Sequence, residues 1–386
     1  MGYVAIRGGE SAIAAAARLL DVLRAQAGGD PIGVETIRHQ LGRLVDRVCG
    51  EGGCWHPQLA ALAIKQASGD TLEAAFLLRA WRSTRPRLSA TAPHRGTDLR
   101  VVRRISSAFK EIPGGQILGP GSDYLQRLFS YELLDEDPDK FRAIAKDFFG
   151  EEWPGRGTDS ASDTVPKVLD ALRAQGLLAQ PRPPLPAVDI TREPITFPCP
   201  RPAALAAMTR GESGGLLAMA YTTMRGYGYL HPTVAELRYG FLPIMLPHPV
   251  SGELVEAGEV PVTECEIVTL HGKDDPEDAP PSLGLGYGCC FGHQETKAIA
   301  MAMCDRSLQN GAQHGVRHPA EDGEFVLMHI DGIESMGFCS HYKLPHYVTF
   351  QSDLDNLRKS RGKLDHPGAA EAVFTDPEQI PDGDEL

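Results

Sequence analysis

Hydrophobic positions in the first third of the chain recur at helical spacing. Pro57 can open one helix and Thr71 another, after a Ser-Gly-Asp break. A basic amphipathic helix is predicted over 98–110, with its leucine, valine, isoleucine and phenylalanine side chains inward. Before these, residues 33–48 predict one amphipathic helix, whose apolar face is Val34, Ile37, Leu41, Leu44, Val45 and Val48.

The pattern changes after the first third. Residues 135–160 are acidic and aromatic without clear periodicity, and 181–202 contains eight prolines in 22 residues, which cannot sustain a helix. Beyond this linker, glycine-rich turns separate strand-like runs such as 259–269 and 325–330. One strong helix is predicted at 293–309.

These patterns predict an α+β protein, with a helical N-terminal region followed by a mixed C-terminal domain. We expect a mainly helical domain at 1–134 and an irregular acidic and proline-rich linker at 135–202. A mixed ligand-binding domain is expected at 203–350. The acidic segment 351–386 is predicted to be a partly disordered tail.

Composition narrows the classes of function. The formal net charge of −13 over 386 residues argues against nonspecific binding to nucleic acid or to an anionic membrane, because both require a basic surface. No apolar run approaches the roughly 18 residues of a membrane span, and the N-terminus lacks a signal-peptide pattern. Eight cysteines without a CxxC pair suit reduced thiols, so a cytoplasmic location is expected.

Two carboxylates in the run VTECEIV are the first candidate for chemistry. Glu264 and Glu266 would lie on one strand face, about 7 Å apart, with Cys265 and Ile267 on the other. Such a pair can stabilise an oxocarbenium ion or transfer protons. A solvated strand face is the alternative, and spacing alone favours it. A serine hydrolase is disfavoured, since no GxSxG elbow is present.

Two glycine-rich stretches are candidates for anion binding. The first runs into the predicted helix near Gly292, where free backbone N–H groups can hold a phosphate. It contains neither GxGxxG nor a Walker lysine, so a structural turn is an equal alternative. The second, MRGYGYLHP, places Arg225 beside glycines, and a tight turn explains those glycines equally well.

The phrase SHYKLPHYVTF contains a candidate metal pair. His341 and His346 cannot share one helical face, because Pro345 and the five-residue step forbid it, so a turn must bring them together. Two imidazoles form only half of a zinc shell, and His329, Cys339 or a second chain could supply more ligands. Histidines satisfied within a turn are the favoured alternative on this pattern alone.

Several long phrases in one order resemble the I subunit (PhnI) family of the bacterial carbon–phosphorus lyase core complex. They include VDRVCGEGG, LAIKQASGDTLEAAFLLRA, IPGGQILGPGSDY, TECEIV, GYGCCFG, MAMCDRSL and SHYKLPHYV, and they span most of 1–350. The linker and the acidic tail depart from the resemblance. Phrases of this length are far more specific than any single motif above.

The resemblance implies an enzyme subunit that acts with G, H, J and L partner subunits. It implies displacement of adenine from MgATP by an alkylphosphonate, which gives ribose 1-alkylphosphonate 5-triphosphate. It also implies a purine nucleosidase activity of the chain alone. Mg²⁺ would accompany the ATP, and Zn²⁺ would be held by His341 and His346 at a site shared with a partner.

In this interpretation Glu264 and Glu266 would stabilise the charge that develops on the sugar. Arg225, Gly292 and Lys343 would bind the anionic groups of the substrates. The alternative is a structural scaffold that contributes histidines to a shared metal site. A free-standing zinc hydrolase is disfavoured, because no HExxH is present.

Overall fold

The computed structural model describes residues 9–26, 28–149, 165–181, 186, 188–225, 230–270 and 282–362. The chain divides into two compact units, Met1–Ser335 and Met336–Leu386. The first unit contains a helical cluster and a four-stranded antiparallel sheet, so the predicted α+β class is confirmed. In the described part of the chain, no helix combines the length and the apolar character needed to span a bilayer.

The helical cluster lies near the N-terminus. Helix α1 (Glu10–Gln26) has no buried residue. Four further helices pack around buried apolar side chains such as Val48, Ile64 and Leu78. They are α2 (Val34–Gln40), α3 (Gly42–Gly52), α4 (Pro57–Gln66) and α5 (Thr71–Ser83).

The predicted starts at Pro57 and Thr71 are confirmed, and the Asp70 carboxylate caps α5 by accepting hydrogen bonds from two backbone amides. The single helix predicted over 33–48 is wrong in one respect. The backbone breaks at Leu41 (φ −112°, ψ 37°), which separates α2 from α3.

The sheet has the strand order β1-β2-β3-β4, and every neighbouring pair is antiparallel. Its strands are β1 (Arg100–Ile105), β2 (Thr233–Pro247), β3 (Leu254–Thr269) and β4 (Gly284–Phe291). The strand predicted over 259–269 is therefore confirmed as part of β3. Because β1 pairs with β2, the sheet joins segments that the sequence assigned to two different domains.

The basic helix predicted over 98–110 is wrong, since this segment forms β1. Arg103 and Arg104 point to opposite faces of the sheet and are 1% and 4% exposed. Each guanidinium is paired there with a carboxylate, Arg103 with Glu295 and Arg104 with Glu236. Tertiary ion pairs on both faces therefore outweigh the local helical pattern.

One face of the sheet, the helix face, is covered by α8 (Arg201–Arg210) and α10 (Glu295–His314), and α9 (Ser213–Thr222) packs against α10. Helix α10 confirms the helix predicted at 293–309 and buries Ala298, Met301 and Ala302 in the main core. Helix α10 lies so close to β4 that a Cβ added at Gly288 would be only 2.1 Å from the Ala298 carbonyl oxygen. Glycine is therefore required at that position.

The opposite face, the polar face, is covered by α7 (Val168–Ala174). Val168, Leu169 and Leu172 of this helix pack with Ala235 and Val268 of the sheet. Helix α6 (Pro138–Phe149) precedes α7 and forms within the stretch that lacks clear periodicity in the sequence. Part of the predicted linker, 150–164 together with 182–185 and 187, lies outside the described residues.

Both edges of the sheet are protected from further strand pairing. At β4, the Tyr287 amide donates to Asp305 (2.9 Å), and the carbonyls of Leu285 and Cys289 accept from side chains of α10 and α8. At β1, the backbones of Arg104 and Ile117 exchange hydrogen bonds of 2.8 and 2.7 Å. These contacts satisfy groups that would otherwise pair with another chain.

The strand predicted over 325–330 is wrong, because 325–329 is helical and belongs to α11 (Gly323–His329), with Ile330 as its C-cap. The Asp322 carboxylate accepts hydrogen bonds from the amides of Glu324 and Phe325, which starts the helix. Helix α12 (Gly332–His341) follows, and α13 (Tyr347–Gly362) lies in the second unit. The predicted disorder of the tail concerns mainly 363–386, which lies outside the described residues.

Candidate functional site

Six charged side chains form a buried layer on the polar face of the sheet, which we name the ionic layer. Its cations are Arg104, Lys167 and Arg238, and its carboxylates are Glu236, Glu264 and Glu266. Each side chain is 13% exposed or less. The layer therefore balances three positive and three negative groups in a poorly hydrated space, where charges interact strongly.

Glu264 and Glu266 point to the same face of β3, as predicted, with Cys265 and Ile267 in the main core behind them. Both glutamates are 6% exposed, so the alternative of a solvated strand face is wrong. Burying two carboxylates so close together is costly unless cations and hydrogen bonds compensate them. The two side chains receive very different compensation.

Glu264 is surrounded by donors. Arg238 donates to its Oε2 from Nε (3.0 Å) and from Nη2, and the Tyr287 hydroxyl donates to Oε1 (3.1 Å). Lys167 Nζ lies 3.3 and 3.4 Å from its two oxygens. Burial alone would raise the pKa of Glu264, but Lys167 and Arg238 outweigh burial and hold this pKa below its ordinary value. Glu264 is therefore an anion at neutral pH.

Glu266 is less well compensated. Its Oε1 pairs with Lys167, and within the described part of the chain its buried Oε2 has no hydrogen-bond partner. Burial, together with the charge of Glu264 and despite the opposing charge of Lys167, raises the pKa of Glu266 to about 7. This carboxyl can therefore hold or release a proton near neutral pH.

Lys167 is the residue of this site that sequence reasoning missed. It precedes α7 and reaches the glutamates from 97 and 99 positions away in the chain. The next residue anchors it, because the Val168 amide donates to Glu236 Oε2 (3.2 Å). No local motif marks this lysine, and only the packing of α7 on the sheet brings it to the glutamates.

Gly292 adopts a left-handed conformation (φ +74°) at the turn before α10, where a Cβ would lie 2.5 Å from the side chain of Asp46. Its own amide donates to the Pro261 carbonyl (2.8 Å), and the next two amides donate to Asp46 Oδ2 (2.8 Å) and to Thr263 Oγ1 (3.0 Å). A carboxylate of the chain itself thus lies where an external anion would bind. Anion binding at Gly292 stays a prediction, and it requires displacement of Asp46.

Arg225 lies just after α9 and is exposed, and its Nη1 donates to the Tyr221 hydroxyl (3.0 Å). The glycines that follow it, within 226–229, lie outside the described residues. None of the described contacts of Arg225 reaches the ionic layer. The structure therefore does not bring Arg225 and the two glutamates together, and its role in substrate binding stays a prediction.

His341 and His346 come together in the second unit, across the turn between α12 and α13. Their Nε2 atoms are 2.9 Å apart. The predicted convergence through a turn is confirmed, and helices flank the turn on both sides. His346 Nδ1 lies 2.5 Å from the Leu344 carbonyl, which can only accept, so Nδ1 carries a proton. In the neutral ring, Nε2 then carries the lone pair.

The lone pair on His346 Nε2 points toward the His341 ring. Metal-binding histidines commonly have this arrangement, in which one ring nitrogen donates to a backbone carbonyl and the other is left to bind the metal. Lys343 lies in the same turn and is exposed. Among the described residues, no group of three or more histidine, cysteine or acidic side chains could hold a metal ion. A metal at the histidine pair would therefore need further ligands from elsewhere.

The fold and the site define an α+β protein with buried paired glutamates on a four-stranded sheet. The profile of the family described as "Bacterial phosphonate metabolism protein (PhnI)" matches residues 2–364. HtxH of Stutzerimonas stutzeri is 56% identical over 375 residues, which cover 94% of this chain and 97% of HtxH.

Two further relatives carry the name alpha-D-ribose 1-methylphosphonate 5-triphosphate synthase subunit PhnI. The Escherichia coli K12 protein is 43% identical over 374 residues, covering 94% of this chain and 99% of the relative. The Rhizobium meliloti protein is 41% identical over 369 residues, covering 94% and 96%. The chain belongs to the PhnI family of bacterial phosphonate metabolism proteins.

Proposed function

We propose that the chain is a subunit of an enzyme that joins the ribose 5-triphosphate part of ATP to an alkylphosphonate and releases adenine. The relatives named as synthase subunits support this assignment over nearly their whole length. The observation that carries it is the glutamate pair, in which Glu264 is ionised and Glu266 has a pKa of about 7. Two buried carboxyls with different pKa values are the arrangement expected for one charged and one proton-donating group.

In the proposed reaction the bond between the anomeric carbon and the purine nitrogen breaks, and a bond from a phosphonate oxygen to that carbon forms. The sugar gains positive charge in the transition state, which the Glu264 carboxylate stabilises. The purine leaves with the bonding electron pair and takes a proton from Glu266. Glu266 is suited to this role, because its Oε2 has no described partner to displace.

The products are adenine and ribose 1-alkylphosphonate 5-triphosphate. If water attacks in place of the phosphonate, it passes a proton to the Glu266 carboxylate that has just protonated the purine. The same residues then give a purine nucleosidase, which we propose as the activity of the chain alone. Mg²⁺ would arrive on the triphosphate and neutralise part of its charge. We place this reaction in the cytoplasm, in an assembly with G, H, J and L subunits.

Purine release by the purified chain tests this function. The chain is incubated with MgATP or MgGTP, and free purine is quantified by chromatography. We expect Glu264→Gln and Glu266→Gln each to lower the release rate by about 10²- to 10⁴-fold. Glu256→Gln is the matched control, since Glu256 lies on the same strand but is exposed. Equal rates in all four proteins would reject the role of the pair.

A second candidate function is a scaffold that contributes His341 and His346 to a divalent metal site, for which we propose Zn²⁺. The observation that favours it is the facing pair of Nε2 atoms. Zinc–nitrogen bonds of about 2.0–2.1 Å at a tetrahedral angle place two ligand nitrogens roughly 3.3 Å apart, so a small movement of one ring admits the ion. The remaining ligands would come from a partner subunit.

Purine release by the chain alone, measured beside the zinc content of the assembled complex, separates the two candidates. If the chain is only a scaffold, the assembled complex binds zinc through the histidines while the chain alone releases no purine. If it is the proposed enzyme, purine release depends on the glutamates. Lys343, in the same turn, could then meet a phosphate or phosphonate oxygen near the metal.

A further inference from the structure

We infer that Lys167 is a positioning residue that sets the pH at which Glu266, the second of the two β3 glutamates, releases its proton. The catalytic meaning of this inference rests on the proposed function, but its physical content does not. It assigns a role to a residue in the loop before α7, far in sequence from both carboxylates.

The contacts of Lys167 are asymmetric. Its Nζ pairs directly with Glu266 Oε1 and lies 3.3 and 3.4 Å from the oxygens of Glu264. Glu264 keeps two other donors, Arg238 and Tyr287, if the ammonium is removed. Glu266 has only Lys167 as a hydrogen-bond partner in the described part of the chain. Removing the ammonium therefore changes the charge state of Glu266 more than that of Glu264.

The position of Lys167 is held by its neighbours on both sides. Its amide donates to Asp170 Oδ2 (3.3 Å), and the next amide donates to Glu236. The carbonyl of the preceding Pro166 accepts from Arg104 Nη2 (3.1 Å). Two members of the ionic layer thus hold the backbone on either side of Lys167, which keeps its ammonium beside the glutamates.

The other charged and titratable groups around Glu266 come from every strand of the sheet. They are Arg104 on β1, Glu236 and Arg238 on β2, Glu264 on β3, and Tyr287 and Cys289 on β4. Without Lys167, the ionic layer would contain two cations against three carboxylates. The layer would then return to balance by keeping Glu266 protonated to higher pH.

The first test is the pH profile of purine release by the full chain. Lys167→Met keeps the aliphatic stem and removes the charge. Since Glu266 is the proton donor, we expect activity to be lost at higher pH than in the wild type, by about 1 to 3 pH units. Lys167→Arg should restore the wild-type profile, and Lys359→Met on the exposed face of α13 should leave it unchanged. A merely structural role would lower the rate without moving the profile.

The second test needs no activity. The stability of each protein is measured from pH 5 to 11, with and without Glu266→Gln, so that the difference reports the titration of Glu266. In the Lys167→Met background this difference should level off at a pH about 1 to 3 units higher than in the wild type.

A shift in stability without purine release from any variant would reject the proposed function while the inference about Lys167 stands. Unmoved stability and activity profiles would overturn the inference. If Lys167→Met fails to fold, Lys167→Gln provides the same comparison with a shorter polar side chain.

Discussion

The pH dependence of stability gives a direct prediction for Glu266→Gln. The substitution keeps the shape of the side chain and removes its ability to ionise. The folded-state pKa of Glu266 is about 7, against an ordinary value of 4.5. The folded chain therefore binds this proton more tightly than the unfolded chain, and stability falls as the pH rises from about 4.5 to about 7.

The size of this effect follows from the two pKa values. The difference of 7 − 4.5 = 2.5, at about 1.36 kcal/mol for each pKa unit, corresponds to about 3 kcal/mol of unfolding free energy. The amide resembles the protonated carboxyl, so the variant lacks this loss. Relative to the wild type, it should gain up to about 3 kcal/mol between pH 5 and pH 8.

The assay is denaturant unfolding of both proteins at several pH values between 5 and 8, followed by circular dichroism. Glu256→Gln, at an exposed position of the same strand, should show no such trend. A constant difference between Glu266→Gln and the wild type across this range would refute the reasoning, because it would mean that Glu266 does not titrate there.

Three further predictions concern other parts of the molecule. Glu264→Gln should lower the unfolding free energy by about 3–5 kcal/mol at pH 7, because it leaves Arg238 buried without its carboxylate. Since the pKa of Glu264 is lowered, this loss of stability should become smaller in acid. A loss below about 1 kcal/mol at pH 7 in denaturant unfolding would contradict the prediction. Gly288→Ala should destabilise the fold by at least about 1–3 kcal/mol, since its Cβ would clash with α10, whereas Gly323→Ala meets no atom within 4 Å and should be nearly neutral in thermal unfolding. His341→Ala with His346→Ala should remove zinc from the assembled complex in elemental analysis, and retained zinc would reject that site.

Local patterns in the sequence were sufficient to predict some features of the fold, although they failed for β1 and α11. The two-residue period of a strand places Glu264 and Glu266 on one face whatever the rest of the fold does. Pro345 excludes a continuous helix through the histidine pair, so a turn follows from local sterics alone. The helical spacing of apolar residues over 293–309 likewise identifies α10.

The remaining features depend on contacts that are distant in the chain. Arg103 and Arg104 fit a helical pattern locally, but carboxylates on opposite faces of the sheet stabilise them in a strand. The role of Lys167 depends on the docking of α7, which no spacing reveals. The anion-binding interpretation of Gly292 could not anticipate Asp46, because that carboxylate comes from α3.

The charge states of the glutamates were also beyond sequence reasoning. Both carboxyls belong to the same short run, yet Arg238 and Tyr287 serve one of them and leave the other dependent on Lys167. Strand register places Arg238 directly opposite Glu264, and although it places Tyr287 opposite Glu266, the Tyr287 hydroxyl reaches diagonally to Glu264. Two glutamates that look equivalent in the sequence therefore differ in charge state in the folded protein.

The most direct test of the central claim is adenine release from MgATP by the chain, measured at pH 7 for the wild type, Glu266→Gln and Glu256→Gln. If Glu266 donates the proton to the leaving purine, Glu266→Gln should lower the rate of adenine release by about 10²- to 10⁴-fold, while Glu256→Gln keeps the wild-type rate. Wild-type release of adenine by correctly folded Glu266→Gln would contradict the account.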